Sequence, residues 1–169
     1  MKPLAHVAFA LALAALQGAV LRWVGGGAVS LLLPVACVVY LGISGGNVDG
    51  SVGAAGVGYV MDLVSGSPKG LMTFLAVLVF VLVRAVNAAV DVRGRAGFAG
   101  LTFLAALVTS LGGMVLLRLT AVPEAAPGIG LLPRMLVEAL LTAAASPLVF
   151  AGMRRLEALF RREEPGLLR

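Results

Sequence analysis

The sequence predicts an all-α, polytopic membrane protein with six transmembrane helices. Three observations predict it. Of 169 residues, 60% are hydrophobic and only 12% charged, and the mean hydropathy is +1.06. A soluble domain carries about 25% charged and about 45–50% apolar residues, and so short a chain cannot hide this much apolar surface from water. Apolar runs of membrane-crossing length recur between short polar turns. Glycine supplies 22 of the 169 residues, about twice the usual ~7%. Small residues let helices approach closely where lipid offers no hydrophobic force between them. A GC-rich coding bias, also suggested by the many Ala, Val and Arg residues, is the competing account of the glycines.

Taken in order, Leu4–Leu21 is the first expected span, behind Met1-Lys2-Pro3. It has the charged start and apolar middle of a signal peptide, but its length and the runs that follow favour a retained helix. His6 has no second ligand-type residue near it, so an interfacial role is expected. Arg22-Trp23 marks a headgroup-level boundary, and Gly25-Gly26-Gly27 a turn. Ala28–Ile43 is the second span, with Pro34 expected as a kink and Tyr40 near its end. Cys37 reads as a small buried apolar residue. Ser44–Ser51 is expected to be a flexible loop. Val52–Val64 is the third span, short at about 20 Å unless it starts near Val48.

Ser65–Lys69 is a loop, Gly70–Val90 the fourth span and Asp91–Arg95 a short charged connection. Ala96–Leu119 is the fifth span, and Thr120–Gly130 a Pro/Gly loop. Leu131–Met153 is the sixth, expected to be interrupted at Ser146-Pro147. Arg154–Arg169 is a short basic tail with one amphipathic face (Leu156, Leu159, Phe160). It is expected to lie on the inner leaflet, continue the sixth helix or dock a partner. Residues 1–169 thus form a single transmembrane domain.

Orientation follows from the basic residues. With six spans, one side holds Lys2, Arg93, Arg95, Arg154, Arg155, Arg161, Arg162 and Arg169. The other holds Arg22, Lys69, Arg118 and Arg134. The excess places both termini in the cytoplasm.

The inventory for chemistry is thin. There is one His and one Cys, and no HExxH, GxSxG, Walker A or dinucleotide-binding pattern. A disulfide within the chain is impossible, and the acids have no metal-ligand spacing. Three intramembrane ionisable sites remain. Asp62 lies within an apolar segment, framed by Gly58, Gly66 and Gly70. A carboxylate there must be satisfied, either as a ligand or proton site, or by hydrogen bonds from the nearby loop backbone or pairing with a basic residue that fix the turn. Arg134 and Glu138 stand at i, i+4 and can pair. Arg118 ends the fifth span on the same side, so Asp62, Arg118, Arg134 and Glu138 are candidates for one polar cluster at similar depth. Arg84, Asn87 and Asp91 share one face of the fourth span.

The run Gly58-Tyr59-Val60-Met61-Asp62-Leu63-Val64-Ser65-Gly66-Ser67-Pro68-Lys69-Gly70 resembles the signature of the rod shape-determining MreD family. That signature is a glycine, an apolar stretch, Asp-Leu, a small-residue turn with Gly, often a Pro, and a closing Gly. Tyr40 late in the second span, Pro147 in the last and the basic Arg154-Arg155 after it also resemble the family. Lys69 stands where the family commonly has Leu.

The resemblance implies Gly58, Asp62, Gly66, Pro68 and Gly70 as motif residues. It implies a non-enzymatic scaffold without cofactor or metal in the bacterial cytoplasmic (inner) membrane, within the elongation machinery that builds side-wall peptidoglycan. Implied partners are an MreC-like bitopic protein, the actin-like MreB filament, and a SEDS glycosyltransferase with its class B penicillin-binding protein. The family is also similar in fold to the S components of energy-coupling-factor transporters, so the rival function is a substrate-binding component of a vitamin-type transporter. A binding component needs polar and aromatic groups converging on a cavity, and only 6% of residues are aromatic. Nothing in the charge pattern, which follows the segment ends, favours nucleic acid.

Overall fold

Nine consecutive residues, Pro34–Gly42, are buried on a single short helix. A helix buried on every side must be surrounded by others, and this one is the axis of the molecule. The computed structural model describes residues 7–15, 17, 31–65, 68–90, 92, 94–119 and 131–161. Among them are six helices: α1 (7–15), α2 (Leu33–Ser44), α3 (Asn47–Ser65), α4 (Leu71–Val90), α5 (Gly94–Leu119) and α6 (Leu132–Arg161). The central helix α2 packs against α3, α4, α5 and α6, and the outer helices pack in the sequence α3–α4–α5–α6. α1 closes the ring, since Val7 lies against Gly56 of α3 and Phe9 against Gly152 of α6.

The outer helices are apolar outward as well as inward. Val52 and Tyr59 on α3, Phe74 and Val81 on α4, Leu104 on α5 and Leu148 on α6 are all exposed. A soluble monomer rarely presents such a surface. α4, α5 and the Leu132–Leu156 part of α6 are each long and apolar enough to cross a bilayer. The chain is therefore an all-helical membrane protein. α2, at 12 residues, extends only about 18 Å; its neighbours bury Pro34–Gly42, while Leu33 and Ile43 are part-buried and Ser44 is exposed.

Three sequence expectations need correction. Pro34 does not kink a span. It stands in the first turn of α2, where its missing N–H deprives no carbonyl and its fixed φ favours the helix. The stretch 44–51 is not a loop throughout. Gly45 donates to the Leu41 carbonyl at 2.8 Å, ending α2, and α3 then starts at Asn47. Its 19 residues reach about 28 Å, close to the hydrocarbon thickness. Packing overrides the loop-like composition: a Cβ at Gly50 would stand 2.7 Å from the Phe80 ring. Finally, α6 is not interrupted at Ser146-Pro147. Proline deprives the carbonyl four residues back of its partner; that carbonyl is Ala143, and the Ser146 hydroxyl donates to it at 2.7 Å. The helix continues to Arg161, which answers the three-way expectation for the tail as far as that residue.

Buried hydroxyls are satisfied in the same local way. Thr102 donates to Phe98 O at 2.8 Å and Thr109 to Ala105 O at 2.9 Å. Thr142 does more. It donates to Glu138 O at 2.7 Å and accepts the Leu32 N–H at 3.1 Å, tying the start of the central helix to α6. At the other end of the bundle Phe150 joins α6 to α2 and α5, with ring centroids 5.6 Å from Tyr40 and 5.0 Å from Phe98.

Candidate functional site

The site built by Gly58–Gly70 is a bend between two helices held by one carboxylate. Asp62 lies in the last turns of α3 and is 6% exposed. Its Oδ2 accepts the Gly70 N–H at 3.0 Å, the Thr73 N–H at 3.1 Å and the Thr73 hydroxyl at 2.6 Å. Its Oδ1 accepts the Met72 N–H at 2.8 Å. The first N–H groups of a helix have no intrahelical partner and are normally met by a capping side chain. α4 follows Gly70, which has no side chain, and its first turn holds no acid. Asp62 supplies the cap from the preceding helix instead, with its charge at the positive end of the α4 dipole.

Two glycines make the geometry possible. Gly70 has φ +94°, a left-handed conformation that is unfavourable for residues with a Cβ. Nothing lies within 4 Å of a Cβ built there, so conformation and not space selects glycine. At Gly58 the reverse holds. A Cβ would come within 2.5 Å of the Thr73 Cα and 2.8 Å of the Met72 carbonyl oxygen. α3 and α4 touch backbone to backbone where Asp62 must reach across. Pro68 closes the turn by accepting the Leu71 N–H at 3.2 Å. Gly66 lies outside the described residues. Four donors from the Gly70–Thr73 stretch are thus gathered on the two carboxylate oxygens.

Arg134 Nε and Glu138 Oε1 pair at 3.0 Å, with the carboxylate buried and the guanidinium partly exposed. Arg118 stands in the last turn of α5. All of these belong to the same end of the bundle as the Asp62 bend, but α3 and α6 make no close backbone approach among the described residues. On α4, Arg84 donates to the Gly45 carbonyl at 2.9 Å, and Asn87 Oδ1 accepts the Val92 N–H at 3.2 Å. Both therefore finish helix ends, whereas Asp91 and His6 fall outside the described residues. Cys37 is buried and unpaired. Among the described residues no three His, Cys, Asp or Glu side chains converge on a metal site.

Two polar residues in these networks escape sequence reasoning, Thr73 and Thr142, and Ser146 is read there only as part of a break. Thr73 is eleven residues from Asp62; its only signal is a hydroxyl in the first turn of an apolar helix. A groove of about 240 Å³ between α4 and α5 is wholly apolar, lined by Val79, Leu82, Val86, Leu101, Leu104 and Val108. Its lining suits a hydrocarbon chain and offers no group to orient a polar solute.

Fold and site together define a helical membrane protein in which a carboxylate-centred motif joins two helices. No protein-family model matches this chain, and no curated protein or solved structure matches it either.

Proposed function

We propose that this chain is a non-enzymatic membrane scaffold of the bacterial cell-elongation complex, of the kind that MreD-family proteins provide. The observation that carries the reading is the use made of the signature-like run. Gly58, Asp62, Pro68 and Gly70 resemble the family motif, and each has a specific part in shaping or closing the α3–α4 bend. A motif spent on holding two helices together suits a protein that presents surfaces to partners. The thin inventory of nucleophiles, bases and metal ligands in the sequence points the same way.

On this reading α1 to α6 are six spans in the cytoplasmic membrane, and both termini are cytoplasmic. The fold is then similar to the S components of energy-coupling-factor transporters. The partners are an MreC-like bitopic protein, the MreB filament, and the SEDS glycosyltransferase with its class B penicillin-binding protein. The test is recovery of partners with a tagged copy from mild detergent. MreC-like and penicillin-binding proteins are expected. Recovery of ATPase subunits, or of a bound vitamin, would instead establish the transporter reading.

A further inference from the structure

At the end of the bundle opposite the Asp62 bend, two neighbouring helices each carry an arginine at the same level. Phe98 of α5 and Phe150 of α6 pack with ring centroids 5.0 Å apart, which sets the register of this antiparallel pair. Arg95 precedes Phe98 by three residues and Arg154 follows Phe150 by four. Both therefore stand one helical turn beyond the ring pair, toward the same end. The Arg154 guanidinium lies 5.9 Å from the Phe150 ring centroid, which directs it along that flank. Arg155 is adjacent, and all three are exposed. Among the described residues no carboxylate pairs with any of them. The first turn of α5 also presents the positive end of its dipole and contains no acid. Like charges and a helix terminus thus gather with no counter-ion among the described residues.

The depth of the cluster indicates which anion answers it. α5 begins here, and the apolar stretch of α6 ends at Leu156. This is the level of lipid headgroups, and guanidinium forks match phosphate oxygens in pairs. We infer that Arg95 and Arg154, with Arg155 beside them, hold the phosphate of one anionic phospholipid against the α5–α6 end of the bundle. This inference rests on the membrane reading and is independent of the scaffold reading, so partner recovery can fail without touching it.

The test uses the full chain in mild detergent, titrated with phosphatidylglycerol or phosphatidylcholine, with bound lipids counted by native mass spectrometry. Phosphatidylglycerol is expected to be retained selectively. In Arg95→Gln/Arg154→Gln the selectivity is expected to fall about thirtyfold, the order for two basic residues at a membrane surface, with phosphatidylcholine retention unchanged. If the double variant does not fold, each single variant is expected to lose about fivefold on the same basis. Equal retention of the two lipids, or unaltered selectivity in folded variants, overturns the inference. Displacement of phosphatidylglycerol by millimolar inorganic phosphate also overturns it, since the site would then serve free anions. A chain that stays monodisperse without detergent would defeat the membrane reading itself.

Discussion

Replacing Asp62 by alanine leaves the N–H groups of Gly70, Met72 and Thr73 without their acceptor. The expected loss is about 2–3 kcal/mol, read as a lower unfolding midpoint and a lower folded yield in detergent. Normal yield with lost cellular activity would instead make Asp62 a working site. Thr73→Val removes only the hydroxyl bond and should cost about 1 kcal/mol. A glycine pair separates packing from propensity. Gly58→Ala forces backbone against backbone and should destabilise by about 1–3 kcal/mol. Gly100→Ala meets open space on a helix and should be neutral or stabilising by about 0.5–1 kcal/mol. Thermal unfolding of the two variants side by side checks the sign. At this scale Asp62 was legible, because a carboxylate among glycines in an apolar run has to be satisfied by something close. Its particular partners were not, because helix–helix register is set by side chains far apart in sequence.

At the scale of the element, α6 depends on a local repair. Ser146→Ala strips the Ala143 carbonyl of its donor beside Pro147 and should cost about 1–2 kcal/mol. Pro147→Ala restores a backbone N–H to that carbonyl, so Ser146→Ala should then cost little. A double-mutant cycle read by unfolding midpoint should show clear non-additivity; additive effects would show that the hydroxyl has another use. The sequence misreads this helix because Ser-Pro looks like a break, and the compensating bond depends on the serine rotamer. It misreads the start of α3 for a related reason. Asn, Asp and Gly favour loops by themselves, while the contacts that make them helical come from Leu41 and Phe80 on other helices.

For the whole molecule, the six-span reading is checked by thiol labelling. Cys37 is fully buried, so the native thiol should stay silent to a membrane-impermeant maleimide. On intact cells Lys69→Cys is expected to label from outside, and Gly46→Cys, where a Cβ meets nothing within 4 Å, only after lysis. The opposite pattern would invert the topology, and labelling of both from outside would break the span count.

Composition and segment spacing determined that this protein is helical and belongs in a bilayer, because those properties are sums over residues. The approximate positions of the later spans and the pairing of Arg134 with Glu138 were also legible, since both depend on local sequence. Only the tertiary structure decided that α2 is a short axis, buried from Pro34 to Gly42, with Pro34 in its first turn. Hydropathy records how apolar a helix is, and lipid and protein neighbours are equally apolar. The tertiary structure likewise decided that Asp62 caps the next helix, because that bond exists only once Gly58 lets α3 and α4 meet.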